Sequence, residues 1–169
     1  MSWQEHQQYA VASVTCAVIT VSDTRTEATD TSGQVVRDLL AEHGHSICHH
    51  VLVPDDPDRI REEIEQLGGR PDCHAILLTG GTGIAPRDLT TDTVGLMLDR
   101  RLDGFGELFR MLSFEEIGPA AMLSRAIGGV RGQQLVFCMP GSTAAVRLAM
   151  TRLILPALPH MAAELRRHG

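Results

Sequence analysis

The sequence predicts an α/β protein: a three-layer arrangement with a mostly parallel sheet and helices on both of its faces. Three observations predict it. Short apolar runs rich in β-branched residues recur at residues 14–21, 47–53, 75–79 and 135–139, and each is too short for a core helix. Segments with helical periodicity alternate with these runs, which implies parallel strands joined by helical crossovers. Each run also stops at a cluster of Gly, Ser, Thr, Asp or Pro, so the polar residues gather where strands end. Loops at the carboxyl ends of parallel strands emerge at one edge of the sheet, where open α/β sheets bind ligands.

Taken in order, residues 14–21 (VTCAVITV) form the first strand, followed by Ser22-Asp23-Thr24-Arg25 and a polar loop to Thr31. Thr31 or Ser32 can cap a helix that places Val35, Val36, Leu39 and Leu40 on one face, with Gly44 as its stop. Residues 47–53 form the second strand, surrounded by His43, His45, His49 and His50. Neighbouring strand residues face opposite sides, so His49 and His50 do not share one zinc ion, and these four are read as surface histidines. Asp56 caps the next helix, with Pro57 at its first position and Ile60, Ile64 and Leu67 as its buried stripe.

The third strand runs into Thr79-Gly80-Gly81-Thr82-Gly83, then Arg87-Asp88. Glycines permit a tight turn and close approach of backbone to an anion. Thr91 or Asp92 can cap a short helix with Val94, Leu96, Met97 and Leu98, broken at residues 100–104. A helix over 106–114 is expected to bury Leu108, Phe109, Met111 and Leu112, with another helical piece over 120–127. The fourth strand, 135–139, stops at Pro140-Gly141-Ser142, where Ser142 caps a helix burying Val146, Leu148, Met150 and Leu153. Pro156 and Pro159 are expected to break that helix before the last segment.

The 169 residues suit one domain over 14–169, preceded by a polar extension at 1–13. A net charge of −6 and only 4% aromatic residues argue against a nucleic-acid partner. No apolar run reaches the length of a membrane span, and the polar amino terminus has no signal-peptide core. Cys16, Cys48, Cys73 and Cys138 lie in or beside apolar runs with no C-x-x-C pair, as reduced buried thiols of a cytoplasmic protein would.

Four loops, at residues 22–31, 54–58, 80–92 and 140–143, therefore converge. Glycine turns and helix starts suit a ligand with more than one phosphate, and Arg87 and Arg125 can add charge-assisted hydrogen bonds. Asp55 and Asp88 have no obvious basic partner in sequence. Carboxylates beside phosphates call for a divalent cation, and magnesium binds through one or two carboxylates plus phosphate oxygens. No G-x-x-x-x-G-K-[ST], G-x-G-x-x-G or G-x-S-x-G motif is present, which excludes the P-loop, the dinucleotide fingerprint and the serine nucleophile elbow.

The ordered set Ser22-Asp23-Thr24-Arg25, Asp30-Thr31-Ser32-Gly33, Thr79-Gly80-Gly81-Thr82-Gly83, Ser113-Phe114-Glu115-Glu116-Ile117-Gly118 and Pro140-Gly141-Ser142 resembles the molybdenum cofactor biosynthesis family of MoaB and MogA, which shares a domain with gephyrin. The likeness covers about residues 14–160 and is nearer the MoaB branch through DTSG and GFGELFRMLSFEEIG. It implies a molybdopterin-binding, MogA-like fold assembled as a trimer or hexamer. It also implies binding of molybdopterin and, in active members, its adenylylation by Mg-ATP, with the product passed to a downstream molybdenum-insertion protein.

Active members need two aspartates, which by position are Asp55 and Asp88, with Asp55 at the magnesium ion. Ser124 matches a pterin-site serine. The remaining expected ligand contacts are Ser22, Asp23, Thr79, Gly80, Gly81, Thr82, Gly83, Ser113, Pro140, Gly141 and Ser142. Two functions follow: a molybdopterin adenylyltransferase, or a non-catalytic molybdopterin-binding or carrier protein.

Overall fold

The computed structural model describes residues 12–167. Six strands form one sheet in the order β2-β1-β3-β6-β5-β4. They are β1 (Thr15–Val21), β2 (Ser46–Val53), β3 (Ala75–Thr79), β4 (Arg100–Arg101), β5 (Ile127–Arg131) and β6 (Gln134–Met139). The pairs β1–β2, β1–β3 and β3–β6 are parallel, whereas β5 runs antiparallel to both β6 and β4. The helices are α1 (Thr31–Glu42), α2 (Pro57–Gly68), α3 (Thr90–Met97), α4 (Asp103–Ile117), α5 (Thr143–Ala149) and α6 (Leu155–Arg166). The expected polar extension lies outside the described residues except for Ala12 and Ser13.

Side chains alternate across the sheet, and each face has its own core. Cys16, Val18, Ala75, Leu77, Leu135 and Phe137 point to one face, against Val36 and Leu40 of α1, Phe109 of α4 and Leu158 of α6. Ala17, Ile19, Ile76, Leu78, Val136 and Cys138 point to the other, against Ile60 and Ile64 of α2 and Val94 of α3. Strands covered on both faces read as continuous apolar runs, which is why β1, β3 and β6 were visible in the sequence.

Two strands were not expected. β4 has only two residues. β5 carries two glycines, which hid it, and packing explains them. A Cβ on Gly128 would lie 2.7 Å from the Phe137 ring, and one on Gly129 would lie 2.5 Å from the Arg100 carbonyl oxygen. The helical piece expected over 120–127 is instead a 3-10 segment, Gly118–Leu123, that gives way to β5.

Helix starts and faces also need correction. Asp30, not Thr31 or Ser32, caps α1, accepting from the Gly33 amide, whereas Asp56 and Ser142 cap α2 and α5 as expected. No side chain caps α3, which begins at Thr90. Leu108 and Met111, expected inside, are exposed at 47% and 54%. Pro156 and Pro159 do not end the carboxyl-terminal helix. A π-helical segment, Met150–Ile154, links α5 to α6, with Pro156 in the first turn of α6 and Pro159 within it. A widened turn ahead of a proline accommodates the hydrogen bond its ring removes.

Of the four histidines read as surface residues, His45 is buried, and its Nδ1 accepts from the Val14 amide. His49 faces Glu63 and His50 faces Asp30, on different elements, as the strand geometry requires. Cys16, Cys73 and Cys138 are buried and Cys48 is half-buried. Burial pushes the Cys16 and Cys138 thiols well above the ordinary range and raises Cys73 to about 12, so these three are inert.

Candidate functional site

The strand registers bring the loops together. Val21 pairs with Val53, Thr20 with Thr79, and Thr79 with Met139, so β1, β2, β3 and β6 finish level with one another. The next residues are Ser22, Pro54, Gly80 and Pro140. From β1 the chain builds outward to β2 and then returns to lay β3 on the other side, a topological switch point at β1 and β3. A cavity of about 510 Å³ opens there.

The cavity is lined by Ser22, Thr79, Gly80, Gly81, Thr82, Gly83, Asp88, Ser113, Ser124, Pro140, Gly141 and Ser142, all expected ligand or catalytic residues. Phe109, Ile117, Ala121 and Leu123 add an apolar wall from α4 and the 3-10 segment, which suits a ring beside a polar tail. Arg25, from the loop at 22–31 expected to wall the site, and Ser32 also line it, though neither was singled out from the sequence as a ligand contact.

The glycine loop is tight for two local reasons. Gly80 has φ +96°, and a Cβ there would meet the Val21 carbonyl oxygen at 2.2 Å. Gly81 has φ +67°, and a Cβ there would lie 2.1 Å from Thr90 Oγ1 and 2.9 Å from Asp55 Oδ1. The Gly80 amide donates to the Met139 carbonyl at 3.0 Å, so it belongs to the sheet rather than to a ligand.

Arg125 is committed to the loop's structure and not to a ligand. It donates from Nε to the Gly83 carbonyl at 2.7 Å, from Nη1 to the Asp92 carboxylate at 2.8 Å, and from Nη2 to the Asp88 carbonyl. Arg87 is exposed and does not line the cavity. The Asp88 carboxylate accepts from the Ala85 amide at 2.8 Å, which turns it toward the loop beside Gly83.

Asp55 and Asp23 stand beside the cavity rather than in its lining. The Asp55 amide donates to Asp23 Oδ1 at 2.9 Å. Asp55 Oδ1 is buried and has no hydrogen-bond partner, and Thr90 Oγ1 shares that condition. Burial pushes the Asp55 carboxyl above its ordinary value, the negative charges of Asp23 and Asp88 push it further, and Arg87 partly opposes them. Such a carboxylate is short of positive charge.

Among the described residues no group of three or more His, Cys, Asp or Glu is arranged to hold a metal by itself. Magnesium is commonly shared between one or two carboxylates and the phosphates of a ligand. The unpartnered Asp55 oxygen and the raised Asp55 carboxyl fit such a shared ion.

No described helix is long and apolar enough to cross a membrane.

Comparison with known proteins places this site in a family. A family model described as a probable molybdopterin binding domain matches residues 17–160. Molybdenum cofactor biosynthesis protein B from Bacillus cereus is 50% identical over 168 residues, 99% of each chain. A crystal structure of a molybdenum cofactor biosynthesis protein B superposes with a TM-score of 0.89 at 51% identity, over 92% of this chain and 97% of that one. The tungsten cofactor synthesizing protein MoaB from Pyrococcus furiosus gives a TM-score of 0.80 at 33% identity, over 94% and 100% of the two chains. With its fold, its glycine loop and its full-length similarity in agreement, the chain belongs to the molybdopterin-binding-domain family, in the branch of molybdenum cofactor biosynthesis protein B.

Proposed function

We propose that the chain binds molybdopterin and adenylylates it with Mg-ATP. The observation that carries this reading is the coincidence of two features at one sheet edge. One is a cavity with a polar glycine floor and an apolar wall; the other is a carboxylate, Asp55, with a buried oxygen that lacks a partner. The resemblance to active members, with both Asp55 and Asp88 in place, supplies the identity of the ligand and the reaction.

In that reaction an oxygen of the pterin's terminal phosphate attacks the α-phosphorus of ATP, the bond from that phosphorus to the bridging oxygen breaks, and pyrophosphate leaves. Asp55, with Asp88, would hold magnesium together with the phosphates. The bound ion supplies charge neutralisation on the transferring and leaving oxygens. The apolar wall of Phe109, Ile117 and Leu123 offers the ring system a surface to lie against. Ser22, Thr79, Thr82, Ser113, Ser124 and Ser142 offer hydroxyls for polar edges of the ligand. The rigid glycine loop fixes Asp88 against the floor, so positioning is done before the substrates arrive.

Self-association as a trimer or hexamer, a cytoplasmic setting and hand-over to a downstream molybdenum-insertion protein belong to the same reading. The test is to incubate the purified protein with molybdopterin and Mg-ATP and to look for adenylyl-molybdopterin and pyrophosphate. Both products are expected. Molybdopterin binding without either product would leave a carrier and overturn the enzymatic reading.

A further inference from the structure

We propose that Arg25 recognises the anionic group of the ligand in this cavity, and that buried Asp30 holds it in position to do so. The inference rests on the functional reading only in taking the ligand to be phosphorylated. Among the residues lining the cavity, Arg25 and Asp88 alone are charged, so Arg25 is its one cation. Three of the other donors expected from the sequence are engaged or elsewhere. Arg125 is committed to Gly83, Asp88 and Asp92, Arg87 does not line the cavity, and the Gly80 amide is used by Met139.

Arg25 is built in, not draped across the surface. Its Nη1 donates to Ser32 Oγ at 2.6 Å and its Nη2 to the Gly141 carbonyl at 3.0 Å. These bonds span from the loop after β1 to the start of α1 and the loop after β6. A guanidinium has five N–H donors in a fixed fork, so three remain. The side chain keeps 30% exposure, and its partner Gly141 packs against Gly80, whereas Asp88 sits against Gly83.

Asp30 is 3% exposed and already well supplied with donors. Thr20 Oγ1 donates to Oδ2 at 2.8 Å and the Gly33 amide donates to Oδ1 at 2.9 Å. Its distance to Arg25 Nη1 is 3.8 Å, an ion pair without a hydrogen bond. Asp30 therefore orients the guanidinium by charge and through Ser32, whose hydroxyl donates to Oδ1 at 3.4 Å, without taking any of the three remaining N–H donors. An anion arriving in the cavity meets a pre-oriented fork whose desolvation has been partly offset.

The test is calorimetric binding of inorganic pyrophosphate to the full chain at low salt, for wild type, Arg25→Gln, Arg25→Lys and the exposed control Arg152→Gln. Arg25→Gln is expected to weaken binding roughly 10- to 100-fold, as loss of a charge-assisted contact does. Arg25→Lys should fall between the two, because a point charge lacks the fork. Arg152→Gln should bind like wild type. Absence of pyrophosphate binding by the wild type, equal binding by folded Arg25→Gln, or an equal loss in Arg152→Gln overturns the proposal. Where Arg25→Gln does not fold, Arg25→Lys decides, and wild-type affinity in that variant overturns it. Arg25-dependent binding with no adenylyl-molybdopterin made would sink the functional reading alone. Adenylyl transfer in wild type with pyrophosphate bound equally by Arg25→Gln would sink this one alone.

Discussion

Asp55 Oδ1 and Thr90 Oγ1 lie on the same side of Gly81, both buried and both without a hydrogen-bond partner. They come from the loop after β2 and the first residue of α3, and only a glycine fits between them. An unsatisfied buried oxygen costs about 1–3 kcal/mol, so the free protein carries a local instability at its candidate metal site.

Asp55→Asn should raise the melting temperature of the free protein at neutral pH. The folded-state carboxyl is raised above its ordinary value of 3.8, so folding favours the protonated form. Its contribution is fully present below the unfolded value and is lost as pH rises through the raised one. The advantage of the variant should therefore shrink as pH falls through the carboxylate range. Thermal melts across pH check this, and an advantage that grows on acidification would contradict it. Excess Mg-ATP should stabilise the wild type more than the variant.

Thr90→Val replaces the partnerless hydroxyl with a methyl of similar shape. The free protein should be unchanged or stabler by about 1 kcal/mol, seen as about 2–4 °C in a chain of this size. A loss of more than that would mean the hydroxyl has a partner in solution.

Gly81→Ala should destabilise by about 2 kcal/mol or more, since it combines a left-handed φ with a clash at 2.1 Å. Gly104→Ala is the contrast. Nothing lies within 4 Å of its Cβ position and it sits in α4, so it should be neutral or stabilising by about 0.5–1 kcal/mol. Chemical denaturation of the pair separates a special glycine from an ordinary one.

Asp88→Asn keeps an acceptor for the Ala85 amide and removes the charge. Adenylyl transfer should fall by about 100-fold or more while molybdopterin binding persists. Equal turnover by the variant would remove Asp88 from the reaction.

Sedimentation at micromolar concentration should show an assembly larger than a monomer. Leu108, Met111, Phe114 and Ile117 form an exposed apolar stripe on α4, continued by Met122 and Leu123 of the 3-10 segment. Phe114→Glu should shift the distribution toward smaller species. A wild type that sediments only as monomer would exclude a stable assembly.

What the sequence revealed followed from periodicity. β1, β3 and β6 are buried on both faces and therefore read as unbroken apolar runs, and the loops at their ends held most of the cavity lining. β5 was not legible because Gly128 and Gly129 answer to the Phe137 ring and the Arg100 carbonyl, which are remote in sequence. Leu108 and Met111 misled because helical spacing identifies an apolar face without saying which neighbour covers it. Arg25 was hidden for a similar reason: its partners Ser32 and Gly141 are 7 and 116 residues away. Asp30 was passed over as a cap because the adjacent Thr31 and Ser32 are equally good capping types.

The stitching of Arg125 to Gly83, Asp88 and Asp92 bears on timing. A run of glycines left to itself would be a slack tether that a ligand must reel in on every cycle. Here one side chain, 42 residues further along the chain than Gly83, has already drawn it tight. Encounter therefore need not wait for the loop to find its shape, and the ordering entropy of binding falls on the ligand rather than on the protein.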